Sequence, residues 1–146
     1  MIAFLRPDAW DFPLFVHVLG ATVLFGGVAS VALVSWAGQR NPAHAPLLRT
    51  LAFRTTLFVV WPAFILMRAG AQWIYNKENL DPDFPRWIAI GVGVGDGGIL
   101  VLLILTLLGW LALRRANVAR WFTALAGLYL IALAVAWYAM SAKPGA

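Results

Sequence analysis

Apolar residues in this chain come in four long runs, and within each run polar positions are too few to give a helix a wet face. The runs cover about 13–37, 51–74, 87–113 and 120–140. Each reaches the roughly 20 residues a helix needs to cross a hydrocarbon core. A soluble bundle would need a polar stripe on every helix, and none of the runs has one. Each run therefore predicts a helix that closes its backbone hydrogen bonds on itself inside a bilayer. Pro7 and Pro13 punctuate the approach to the first run, Asn41 and Pro42 the first loop, and Asp81, Pro82, Asp83 and Pro85 the second, with Pro85 suited to a helix first turn. The third loop, 114–120, is so short that helices three and four should be antiparallel neighbours. The expected fold is all-α, an antiparallel four-transmembrane-helix bundle forming one domain over 1–146, with no internal repeat. The first run is too long for a signal-peptide core and is followed by no convincing cleavage site, so it reads as a permanent helix.

Composition agrees with the pattern. Of 146 residues, 62% are hydrophobic and 12% charged, and the mean hydropathy is +0.82, too little polar surface to cover a water-soluble globule. The formal charge of +5 invites a nucleic-acid reading, but the basic residues stand at the ends of apolar runs and form no stripe beside exposed aromatics. Lipid phosphate is their expected partner, and no nucleic acid is expected. With no cysteine in the chain, disulfides, thiolate metal sites and covalent haem attachment are excluded.

Arg40, Arg49 and Arg54 lie at the first loop and Arg114, Arg115 and Arg120 at the third, whereas Lys77 and Arg86 in the second are offset by Glu78, Asp81 and Asp83. The positive-inside rule then puts loops one and three in the cytoplasm and both termini outside, in a bacterial inner membrane. Trp10, Trp73, Trp87 and Trp137 fall at the outer ends and Trp36, Trp110 and Trp121 at the inner ends, two interfacial belts that leave Trp61 at mid-depth.

Three residues interrupt the runs. At 1.5 Å rise per residue, His17 lies roughly 6–8 Å below the outer end of helix one, Arg68 roughly 10 Å below Tyr75, and Asp96 roughly 13 Å below Trp87. All three belong to one leaflet. Titratable groups in hydrocarbon are functional-site candidates by default, with partners sought among themselves. Arg68 can also snorkel to the headgroups. Asp96 is too short to do so. It must pair with Arg68, bond to His17 or carry a proton. An Arg68–Asp96 pair buried in the bundle would fix helix register.

Five glycines surround Asp96 in the stretch Gly91 to Gly98, a poor composition for a soluble helix. Gly20 and Gly27 share the His17 face of helix one, with Gly26 and Ser30 as a small-residue pair nearby, so helices one and three are expected to pack almost backbone to backbone. The alternative is that Gly20, Gly27, Gly93 and Gly97 leave a slot beside His17 for a flat ligand such as haem b or a quinone. His17 would then be the metal ligand, with Met67 or Met140 as a weak second. Gly93-x-Gly95-x-x-Gly98 matches the dinucleotide fingerprint only literally, since it lies inside a spanning helix and not between a strand and a helix. On helix two, Arg54, Trp61, Arg68 and Tyr75 recur every seven residues, so they should share a face, and Pro62 should kink the helix beside Trp61. His44 is an ordinary loop residue beside Pro42 and Pro46. No catalytic constellation is present.

The stretch from Phe15 to Gly27, with His17, Gly20, Gly26 and Gly27, resembles the first helix of a bacterial family of four-helix integral membrane proteins of unknown function. It is similar, more distantly, to the copper-resistance-D-like membrane domain and the membrane-bound protoporphyrinogen oxidase. The oxidase resemblance implies a haem role for His17 alone. Phe25 stands where a Trp is usual before the glycines.

Three functions remain open. A non-enzymatic accessory subunit of a membrane complex or homo-oligomer would be colourless and co-purify with its partner. A haem- or quinone-binding redox protein would bleach on His17→Ala. A proton pathway through Asp96 would fail in Asp96→Asn.

Overall fold

The computed structural model describes residues 11–78 and 86–142. The leader with Pro7 and Trp10, the second loop with Asp81, Pro82, Asp83 and Pro85, and the side chains of residues 77, 78, 86 and 87 lie outside the described residues. Among those described, four helices are long and apolar enough to cross a membrane. Helix one is Asp11–Arg40. Helix two is built from Ala45–Thr55, a π-helical turn at Thr56–Val60, and Trp61–Glu78. Helix three is Arg86–Arg114 and helix four Ala119–Ala142. The all-α four-helix expectation holds, and the chain is a multi-pass membrane protein. Most helices run a few residues past the apolar runs at their ends, because basic groups such as Arg40 and Arg114 in last turns favour the negative end of the helix dipole.

Helix two departs from the expected simple kink. Pro62 has no N–H to offer the carbonyl four residues before it, and its ring crowds that carbonyl. The turn ahead of it widens instead, and the Trp61 N–H reaches back five residues to Thr56. The extra residue rotates the helix before the turn by about 100° relative to the helix after it. The seven-residue stripe is therefore broken: Arg54 falls off it, and Trp61, Arg68 and Tyr75 continue it within the α-helix Trp61–Glu78.

Helix one sits between helices two and four, while helix three packs on helix four and on the 45–60 half of helix two. Leu24 and Val28 of helix one, Val60 and Phe64 of helix two, Leu102 and Leu105 of helix three, and Phe122 and Ala126 of helix four meet in the core. Lipid tails are as apolar as these side chains, so close packing and interhelical hydrogen bonds hold the bundle together. Two polar clips illustrate this. Trp61 Nε1 donates to Thr106 Oγ1 at 2.9 Å across helices two and three. Thr123 Oγ1 gives its proton to the Ala119 carbonyl at 3.0 Å, so it accepts from Ser35 at 2.6 Å and from Gln39 Nε2 at 2.6 Å, both on helix one.

At the end carrying loops one and three, arginines stack on the belt tryptophans: Arg40 on Trp36 at 5.1 Å, Arg114 on Trp110 at 4.3 Å and Arg120 on Trp121 at 5.4 Å. This geometry suits an interface where an aromatic body meets headgroups and a cation meets phosphate.

Candidate functional site

Helices one and two meet backbone to backbone at two reciprocal glycines. A methyl group on Gly20 would overlap Met67 N and stand 3.0 Å from the Ala63 carbonyl, and one on Gly70 would stand 2.5 Å from His17 N. Gly20 follows His17 by three residues and Gly70 follows Met67 by three, so each glycine receives the other helix at the same crossing. That closeness sets His17 Nδ1 at 2.9 Å from the Met67 carbonyl. A carbonyl only accepts, so Nδ1 carries the proton.

Arg68, the next residue, leaves this crossing toward helix three. Its Nη2 lies 2.6 Å from Asp96 Oδ1, and its Nη1 would touch a methyl placed on Gly95 at 3.3 Å. One turn along, Gly98 receives the Tyr129 hydroxyl and the Phe64 ring. Tyr129 is 3% exposed, and its hydroxyl has no hydrogen-bond partner among the described residues. The four helices thus carry His17, Arg68, Asp96 and Tyr129 within their spans, with Arg68 and Asp96 paired to each other, His17 bonded to the Met67 carbonyl and the Tyr129 hydroxyl without a partner among the described residues.

Several expectations need correction. The Arg68–Asp96 pair forms, but it is not buried inside the bundle: the side chains are 31% and 57% exposed, at the surface of the single chain. Helices one and three sit diagonally and do not pack backbone to backbone. Gly20 faces Met67 and Ala63, and Gly27 faces Val59 and Val60, all of helix two, while Gly93 and Gly97 have nothing within 4 Å. These four glycines do not line a common slot. The reason is rotational: Gly91, Gly95 and Gly98 point inward and take Met140, Arg68, Tyr129 and Phe64, and a two-residue offset turns Gly93 and Gly97 about 200° away. Large side chains of helices two and four fill the room that a flat ring would need.

The slot expected for haem b or a quinone beside His17 is therefore not formed by these four glycines. Among the described residues no group of three His or carboxylate side chains could hold a metal ion. His44 is exposed in the first loop, with Nδ1 3.3 Å from Asn41 Oδ1. Two open apolar grooves, one lined by Ile104, Leu108, Trp121 and Leu128 and the other by Phe25, Trp137, Tyr138 and Ser141, include none of His17, Arg68, Asp96 and Tyr129.

Gly70 and Tyr129 escaped the sequence reading. Tyr129 left one signal, a tyrosine nine residues inside a span and far from either belt. Gly70 left a weaker one, the shared spacing of three from His17 to Gly20 and from Met67 to Gly70, which means nothing until the two helices are known to pair. Comparison of the chain with protein-family models, with curated proteins and with solved structures finds no match. Fold and ion pair together define a class, the polytopic α-helical membrane protein with an intramembrane ion pair at its surface.

Proposed function

We propose that this chain is a small, non-catalytic subunit of a protein assembly in a bacterial inner membrane, with loops one and three in the cytoplasm and both termini outside. The observation that carries the reading is the 57% exposure of Asp96 beside a 31% exposed Arg68, at a depth where bulk water is absent. An ion pair facing hydrocarbon is costly, and a neighbouring protein with polar groups lowers that cost. Small residues beside the pair, Gly93 and Gly97, suit close approach of another helix. The positive loops and the Arg-on-Trp stacks support the orientation. This reading assigns His17 a packing role through its bond to the Met67 carbonyl.

The test is extraction from native membranes in mild detergent, followed by mass measurement. The reading expects a complex heavier than the 16.0 kDa chain that falls apart when Asp96 and Arg68 are both replaced by leucine. A wild-type chain that leaves the membrane as a monomer under every mild condition would end it.

A further inference from the structure

Ile90, Gly93, Gly97, Leu100 and Ile104 succeed one another at three- and four-residue steps, so they form one face of helix three. The face is uncovered: Ile90, Leu100 and Ile104 are exposed, and methyl groups on Gly93 or Gly97 would meet nothing within 4 Å. Gly93-Val94-Gly95-Asp96-Gly97 is a Gly-x-x-x-Gly spacing, which lets two membrane helices cross at close range. Small residues alone would say little. A second open small pair, Gly26 and Ser30 on helix one, shows why, since Ser30 Oγ donates to the Gly26 carbonyl at 2.8 Å and leaves no charge to cover. The helix-three face differs because an ion pair stands at its edge.

We propose that the occupant of this face is a second copy of the same chain, docked about a two-fold axis along the membrane normal with Gly93 and Gly97 at the helix crossing. The proposal rests on the subunit reading above and names its partner. Two arguments favour a like copy. An isologous interface must be complementary to itself, and this patch carries one cation and one anion, so apposed copies bring Arg68 toward Asp96 twice. Copies inserted in the same orientation also hold these residues at the same depth, so the four charges fall in one layer and sum to zero. Capacity remains for the extra bonds. A guanidinium offers five N–H donors and a carboxylate about four acceptor sites, and the bond within the chain uses one of each.

Because the chain has no cysteine, single cysteines report proximity cleanly. Gly97→Cys and Leu100→Cys are compared with Val23→Cys, an exposed position on helix one, diagonally opposite helix three, by oxidation in native membranes. The expected result is a disulfide-linked species of twice the 16.0 kDa chain mass at 97 and 100 and none at 23. An adduct of any other mass at 97 or 100 would overturn the second copy while leaving the subunit reading standing. No adduct at 97 or 100, with a monomeric extracted protein, would overturn both. Charge reversal supplies a second arm. In the Leu100→Cys background, Arg68→Asp and Asp96→Arg should each lose the dimer when expressed alone, and co-expression should restore it between unlike copies. A dimer that forms equally in the single variants would overturn the charge ring.

Discussion

Replacing Gly20 with alanine puts a methyl group where the backbone of helix two already is. The new carbon would stand 2.8 Å from Met67 Cα and 3.0 Å from the Ala63 oxygen, against about 3.5–4.0 Å for an ordinary contact. Neither neighbour is a flexible side-chain tip, so the two helices must part by about 1 Å. A gap of that size forfeits between a quarter and a half of the dispersion energy along the seam, and overpacking of this kind costs about 1–3 kcal/mol. It also stretches the 2.9 Å His17–Met67 bond past useful length, for about 1 kcal/mol more. Alanine returns about 1 kcal/mol as the better helix former, leaving a net loss of about 1–3 kcal/mol. Gly70→Ala clashes with His17 N, Cα and Cβ and should cost as much. One displacement relieves both clashes, so the double variant should lose clearly less than the sum of the singles. Gly127→Ala on helix four, with nothing within 4 Å, is the control and should be neutral or stabilising. The assay is thermal unfolding of the four variants and the unsubstituted chain in one mild detergent. The reasoning fails if Gly20→Ala melts with Gly127→Ala, or if the two seam variants add fully.

The same geometry sets the outcome of three other substitutions. Arg68→Leu leaves the Asp96 carboxylate without the partner 2.6 Å away, so it should melt lower than Arg68→Leu/Asp96→Leu, which removes both charges; equal melting would show that the pair is not coupled. Thr123→Val strips Ser35, 1% exposed, and Gln39 of their shared acceptor, and should cost about 1–3 kcal/mol in the same melt. Tyr129→Phe removes a hydroxyl that has no partner among the described residues and should leave the melting point unchanged or raise it, while a clear drop would show that the hydroxyl is held by a group or water on which the fold depends.

The spans were legible because run length is a one-dimensional property: 20 apolar residues need no knowledge of neighbours. Depth was legible for the same reason, and it placed Arg68 and Asp96 close enough in height to pair. Facing was not. Whether Asp96 looks into the bundle or out of it depends on which helices are adjacent, and the glycines around it suggested a tight seam with helix one when helix one in fact pairs with helix two. The same glycines split into an inward set that receives Arg68, Tyr129, Phe64 and Met140 and an outward pair that receives nothing. A two-residue offset decides that split, and sequence can apply it only after one position has been anchored in space. Pro62 announced a disturbance in helix two, but its relief as a π-turn ahead of Trp61 displaced Arg54 from a stripe that counting by sevens had drawn.

Everything proposed about function turns on whether protein or lipid covers the outward face of helix three. Nitroxide labels at Leu100 and at Val23 on the diagonally opposite helix one, both exposed in the single chain, would report this through their relaxation by membrane-dissolved oxygen in native membranes. A covered face predicts that the label at 100 is shielded while the label at 23 stays freely accessible. Equal, lipid-like access at both positions would contradict the account.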